Sequence, residues 1–321
     1  MPIFIHRYEL RPRVSLGARA GLGARRGALL RIDDGFADLH PWPELGDAPL
    51  DDQLARLARG QTTPLTRASL RLAAIDGTAR REGRSLFQDS AIPASHFLIT
   101  EVSGSFDAAT VAARGFDTVK VKMGRNLAAE RAWLDCQAPV LRDFGLKVRI
   151  DFNGVPDATE IETFLAALSD VARGRIDFIE DPCRYDGEVW HALSSRFGCR
   201  LALDRGDPAT SSDGVAVVVV KPAFQDDQEV IRLASERGQM VVITSYMDHP
   251  IGQLGAAFCA ARAAAEHPNI IGRCGLLTHA LFEPDAFLEQ MYANGPHLLP
   301  PGGTGLGFDG LLDQLPWKQL S

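Results

Sequence analysis

No apolar run in this 321-residue chain is longer than six residues, the length of Val215–Val220. A transmembrane helix needs roughly 20, so none is expected. The opening Met1-Pro2-Ile3-Phe4-Ile5-His6-Arg7 shows neither the apolar core nor the cleavage site of a secretion signal. Cysteine is sparse. Cys136, Cys183, Cys199, Cys259 and Cys274 are odd in number and never spaced Cys-x-x-Cys, which argues for reduced thiols and against a disulfide framework or zinc knuckle. Positive charge is not in excess: 34 Lys plus Arg against 41 Asp plus Glu give a net charge of −7. A mildly acidic chain lacks the basic footprint of a nucleic-acid binder. These absences leave a cytoplasmic protein with no membrane or nucleic-acid partner. What is present is ordinary globular material, 45% apolar and 23% charged, enough for one large domain or two smaller ones.

Two textures follow one another. Residues 1–97 read as α+β: a strand over Ile3–Leu10, a Gly/Arg-rich stretch from Gly17 to Gly23, a strand over Ala28–Ile32 and a loop with Pro41, Pro43 and Pro49. Thr63 followed by Pro64 predicts a helix start, because proline lacks an N–H that the first turn does not use. Leu70, Leu72, Ala73 and Ile75 are its expected buried face. From residue 98 onward short apolar strands alternate with helical stretches. The strands are Phe97–Ile99, Thr118–Lys122, Val148–Asp151, Asp177–Glu180, Arg200–Asp204, Val217–Lys221, Met240–Thr244 and Asn269–Gly272. Eight βα units predict a parallel, closed α/β barrel of the TIM type. At about 190 residues against a typical ~250 the barrel is short, so an open doubly wound sheet is the alternative.

Residues two apart on a strand share a face. Lys120 and Lys122 therefore point one way, with Val119 and Val121 turned to the helices, and Asp151 shares a face with Asn153. The next strands end in Glu180, Asp204 and Lys221. From Lys122 to Asp151 to Glu180 is 29 and 29 residues, and on to Asp204 is 24, each close to one βα unit. The groups should recur around one mouth, at the strand C-termini where barrel active sites lie. Three converging carboxylates repel unless a hard cation joins them, and oxygen-only ligation selects Mg²⁺. Lysines across such a metal suit proton abstraction beside a carboxylate.

Lys120-Val-Lys122, Asp151-Phe-Asn153-Gly, Phe178-Ile-Glu180-Asp181-Pro182, Leu203-Asp204 and Val220-Lys221-Pro222 resemble, in order and spacing, the enolase superfamily and within it the o-succinylbenzoate synthase family. Ile243-Thr244-Ser245-Tyr246-Met247-Asp248 and Gly275-Leu276-Leu277-Thr278 extend the likeness over nearly the whole chain. The resemblance implies a modified barrel (98–284) under an α+β capping domain (1–97) that the tail (about 285–321) rejoins. It implies Mg²⁺, with Mn²⁺ as a possible substitute, on Asp151, Glu180 and Asp204, with Asn153 behind them. Lys122 would take the proton alpha to the substrate carboxylate and protonate the departing hydroxide. Lys221 would stabilise the enediolate, Lys120 would help hold the carboxylate, and Ser245 and Gly275 would receive the succinyl tail. The implied reaction is syn dehydration of a cyclohexadiene carboxylate to o-succinylbenzoate, in menaquinone biosynthesis.

Alternatives remain open at this point. The same lysines serve a racemase or epimerase of N-acylamino acids, and an idle homologue kept for binding is a further reading. Arg205-Gly206 stands where an acid is usual, and Tyr246 and His249-Pro250 where small hydroxyl residues are common; both could reshape the pocket. Arg11, Arg13, Arg19, Arg25, Arg26 and Arg31 are either a loop that draws in a dicarboxylate or a solvated basic face. The stretch 17–26 is expected to close over substrate. Gly302–Gly307 has the wrong spacing for a dinucleotide fingerprint and reads as a return segment. His249, His279, Cys183 and Cys274 read as packing residues. Oligomeric state is left open.

Overall fold

The computed structural model describes residues 2–17, 22–102 and 106–321. The front part contains β1 (Ile3–Leu10), β2 (Arg25–Ile32), β3 (Gly35–Leu39), α1 (Leu50–Ala58) and α2 (Pro64–Arg81). Then follow β4 (Phe97–Ile99), α3 (Ala108–Ala113), β5 (Thr118–Lys122), α4 (Leu127–Asp143), β6 (Lys147–Asp151), α5 (Ala158–Ala166), α6 (Asp170–Arg173) and β7 (Ile176–Glu180). After these come α7 (Gly187–Phe197), β8 (Leu201–Leu203), β9 (Val217–Val220), α8 (Asp227–Glu236), β10 (Met240–Ile243) and α9 (Pro250–Glu266). The tail adds β11 (Tyr292–Asn294), β12 (His297–Leu299), α10 (Asp309–Asp313) and β13 (Lys318–Gln319). No helix among the described residues is long and apolar enough to cross a membrane.

The front sheet has the order β13-β1-β2-β3, so the last strand of the chain lies beside the first. Thr63 caps α2 as expected: its hydroxyl accepts from the N–H of Thr66, and the Thr66 hydroxyl accepts in return from the N–H of Thr63. The buried face of α2 differs from the predicted one. Leu70, Leu72 and Ile75 are only half-buried, and Leu65, Ala68, Ser69, Ala73, Asp76 and Gly77 face inward. The reason is close approach to β3, since a Cβ on Gly35 would lie 1.9 Å from the carbonyl oxygen of Ala73. Small side chains let helix and strand touch, while Leu70, Leu72 and Ile75 pack half-buried at the margins of the core.

Asp76, fully buried on this helix, joins three segments. Its carboxylate accepts from the N–H of Phe36 (2.8 Å), from the N–H of Leu306 (2.6 Å) and from Arg80 Nε (2.6 Å). The glycine-rich 302–307 stretch is thus bound back to α2 and the residues that follow it. Asp76→Ala leaves Arg80 Nε and two buried amides without their acceptor, although Arg80 keeps Asp309 and the Gly307 carbonyl, and the expected loss of stability is about 3 kcal/mol, read by urea unfolding.

The second sheet is parallel, in the order β4-β5-β6-β7-β8-β9-β10. The predicted eighth strand forms no continuous ladder. Residues 270–275 make single bridges instead: Ile271 with Val241, Gly275 with Thr244, and Cys274 with Ser95. Hydrogen bonds on both sides, Gly275 N to Ile243 O (2.9 Å) and His96 N to Cys274 O (2.9 Å), close the ring between β10 and β4. The architecture is a closed, modified α/β barrel, and the doubly wound alternative falls. Phe178, Ala202, Val217, Val219 and Val242 fill its interior, while Val119 and Val121 pack outward in the large core shared with the helices.

Candidate active site

Parallel register brings the predicted groups together. Lys122 is the partner of Asp151, and Asp151 of Glu180, so three strand ends lie level. Glu180 pairs with Ala202, which puts Asp204 one pleat higher, just past β8. Lys221 follows β9 directly. One pleat below, Lys120 pairs with Arg149, whose guanidinium covers the Phe178 ring at 4.6 Å and closes the barrel floor. Lys120, Lys122, Asp151, Asn153, Glu180, Asp204, Lys221, Ser245 and Gly275 all line one cavity.

The charges inside it are paired unequally. Lys120 Nζ lies 2.7 Å from both Glu180 oxygens and 3.0 Å from Asp151 Oδ2. Burial alone would lower the Lys120 pKa, but Asp151, Glu180 and Asp204 together hold it above the ordinary lysine range. Asp151 is pulled down to about 2: burial opposes this, and Lys120 and Lys122 overcome it. Glu180 is pushed up to about 7 by burial and by the neighbouring Asp151. Lys221 Nζ is bonded to Asp204 Oδ1. Lys122 differs. It forms no ion pair among the described residues; its Nζ donates to the carbonyl of Leu16 at 2.8 Å. Burial lowers it to about 8, with the charges of Lys120 and Lys221 adding to the effect and Asp151 opposing it.

Asp181 lies in the turn after β7 and braces the neighbouring one. Its carboxylate accepts from the N–H groups of Asp204 (3.0 Å) and Arg205 (3.0 Å), fixing the turn that carries Asp204. Asn153 and Asp181 both sit at positive φ, 54° and 41°, the kind of backbone strain that gathers at functional sites. The Asn153 N–H bonds Asp151 Oδ1 at 3.0 Å, and its buried Nδ2 has no partner among the described residues.

Several lining residues were not singled out in the sequence. The capping part supplies Leu16, Trp42 and Leu45, beside Gly17 at the start of the 17–26 stretch. Trp42 is held there by the barrel, since its Nε1 donates to Tyr246 O at 2.8 Å and the Tyr246 hydroxyl donates to Asp47 at 3.0 Å. Ser245 shares a 2.7 Å hydrogen bond with Thr278. His96 stands against Arg149 (3.1 Å), and burial with that charge keeps its pKa well below the usual histidine value. Of the arginine run, the described members Arg11, Arg13, Arg25, Arg26 and Arg31 do not line the cavity. Arg25 is buried against Glu44 and the Trp42 ring. Arg19 and the centre of the 17–26 stretch lie outside the described residues. His249 caps α9, and Cys183 and Cys274 are buried.

The donor set suits a hard divalent cation: three carboxylates, all oxygen, at adjacent strand ends. As the side chains stand, among the described residues no three His, Cys, Asp or Glu groups converge tightly enough to hold an ion. Lys120 lies between Asp151 and Glu180, and Lys221 holds an oxygen of Asp204. These ammonium ends supply the compensating charge, each on a flexible stem that can yield to a cation.

Over 98% of its length this chain is 35% identical to the o-succinylbenzoate synthase of Bdellovibrio bacteriovorus, covering 97% of that protein. The chain belongs to the o-succinylbenzoate synthase family. Residues 3–79 match the family domain described as O-succinylbenzoate synthase, N-terminal domain. The chain is accordingly an enzyme, a lyase of the enolase superfamily. Solved structures of that superfamily share the fold. The substrate-liganded L-Ala-D/L-Glu epimerase of Bacillus subtilis aligns with a TM-score of 0.76 at 16% identity, over 95% of this chain and 97% of that one. The dipeptide epimerase of Enterococcus faecalis, complexed with Mg and L-Leu-L-Tyr, aligns at 0.75 and 16%, over 95% and 98%. At such identity only the fold is shared ground between synthase-family chain and epimerase.

Proposed function

We propose that this enzyme converts 2-succinyl-6-hydroxy-2,4-cyclohexadiene-1-carboxylate to o-succinylbenzoate by syn dehydration, as a cytoplasmic step of menaquinone biosynthesis. The observation that carries the reading is Lys122: a buried amine lowered to about 8, with no carboxylate ion pair among the described residues, in the cavity of a chain related end to end to a synthase. Neutral Lys122 removes the proton alpha to the ring carboxylate, leaving an enediolate. The ammonium so formed returns that proton to the departing C6 hydroxide, and one water leaves as the ring becomes aromatic. Lys221, on the other side of the barrel mouth, faces the enediolate with its charge, and Lys120 holds the carboxylate end. Mg²⁺, or Mn²⁺ in its place, held by Asp151, Glu180 and Asp204 with Asn153 behind them, would supply Lewis-acid stabilisation of the carboxylate's developing charge. Residues 1–97 with 285–321 act as the cap whose Trp42 and Leu45 roof the barrel, 98–284.

The test is ultraviolet detection of o-succinylbenzoate from the diene, with and without Mg²⁺, for the wild type and Lys221→Ala. Turnover lost in the variant is expected. A folded, Mg²⁺-binding protein that leaves the diene untouched but exchanges the α-proton of N-acylamino acids in deuterated water would make it a racemase instead. Ser245 and Gly275 are proposed to receive the succinyl tail. A Cβ at Gly275 would lie 2.8 Å from Thr244 Cγ2 and 3.0 Å from the His96 ring. Gly275→Ala should therefore weaken o-succinylbenzoate binding about tenfold, the scale of overpacking a tight site, as measured by calorimetry.

A further inference from the structure

In the proposed dehydration, on which this site assignment rests, the substrate carries a second carboxylate at the end of its succinyl arm. Burying a carboxylate requires a cation or several N–H donors. Among the described residues that line the cavity, the side chains that can carry positive charge at neutral pH are Lys120, Lys122, Lys221 and Arg205, His96 being held neutral. Lys120 and Lys221, paired here with Asp151, Glu180 and Asp204, are already assigned to the ring carboxylate and to the enediolate. Lys122 is the base.

Arg205 is differently placed. Its Nε is buried with no hydrogen-bond partner among the described residues. The nearest carboxylate oxygen, Asp181 Oδ2, is 3.9 Å away, too far for a hydrogen bond. Asp181 is already engaged by the backbone N–H groups of Asp204 and Arg205. The one side-chain hydrogen bond shown for Arg205, Nη2 to Asn153 Oδ1, is long at 3.3 Å. A planar fork of five donors, 27% exposed and ion-paired to Asp181 only at 3.9 Å, therefore borders the cavity with most of its hydrogen-bonding capacity unused. That geometry matches a carboxylate bidentately. Trp42, Leu45 and Met247 line the same cavity and suit the two methylenes of the arm.

We propose that Arg205 receives the distal carboxylate of the substrate and sets a preference for dicarboxylates. The test compares o-succinylbenzoate with its analogue in which the tail carboxylate is a carboxamide. Both are titrated calorimetrically into the Mg²⁺-loaded wild type, Arg205→Gln and Arg205→Lys, each first checked for folding by circular dichroism. The wild type should bind the diacid about 10- to 100-fold more tightly, the scale of one charged hydrogen-bonded pair. Arg205→Gln should erase that gap, and Arg205→Lys, which keeps the charge without the fork, should retain part of it. A gap that persists in Arg205→Gln overturns the proposal. So does equal weakening of both ligands, which would assign Arg205 to holding the Asp204 turn, and so does a folded wild type that shows no gap. Diene turnover is measured alongside. An Arg205-dependent gap without turnover would remove the dehydration and keep the dicarboxylate site; turnover without a gap would do the reverse.

Discussion

Lys122→Met is expected to lower turnover of the diene about 10³- to 10⁴-fold while making the folded protein more stable. The first effect is the upper range for loss of a positioned general base, and among the described residues no other amine in the cavity is free of an ion pair to replace it. The second effect comes from burial. Lys122 sits at about 8 in the folded chain against 10.5 ordinarily, so between those values the unfolded chain binds more protons. Stability from this group therefore rises with pH across the window from about 8 to 10.5, and the penalty is fully present below 8. The shift corresponds to about 3 kcal/mol, partly offset by losing the Leu16 hydrogen bond, worth about 1 kcal/mol. A net gain of about 1–2 kcal/mol at pH 7, shrinking toward pH 10, should appear in urea unfolding of the variant. A variant that keeps turnover within tenfold of the wild type would take the base role from Lys122.

Lys120→Met should act in the opposite direction on stability. In the absence of metal the ammonium of Lys120 is the charge that lets Asp151 and Glu180 lie side by side within the barrel. Removing one partner of such a buried set costs about 3–5 kcal/mol. Both acids would then titrate upward, so the deficit should be smaller at pH 5 than at pH 8. Millimolar Mg²⁺ should restore much of the lost stability, because a divalent cation on the same oxygens replaces the missing charge. The measurement is thermal unfolding of wild type and variant with Mg²⁺ and with chelator. A variant as stable as the wild type in chelator would mean that the carboxylates do not depend on Lys120.

Much of the site is legible in the sequence because a parallel barrel turns one-dimensional spacing into a ring. Steps of 29, 29 and 24 residues place Lys122, Asp151, Glu180 and Asp204 at successive strand ends, and the register sets three of them level. The eighth strand is less regular than its sequence suggests: Asn269–Gly272 has an apolar centre, yet the segment closes the ring by single bridges instead of a ladder. The α2 face misleads because Leu70, Leu72 and Ile75 look like core, whereas β3 approaches the small residues. The arginine run admits two readings from sequence, and the described arginines stay out of the cavity.

The sequence by itself determined the alternating βα pattern, the capped start of α2 and the residue types at the strand ends, because each depends on near neighbours and a fixed period. Only the tertiary structure decided which charges face each other. Pairing Lys120 with Glu180 leaves Lys122 without an ion pair among the described residues, and that choice depends on side-chain reach across 60 residues of chain. The roof was decided in the same way, since Trp42 meets Tyr246 across 204 residues. Asp181 and Arg205 likewise took their places from turns between strands, where no periodicity announces what a side chain will meet.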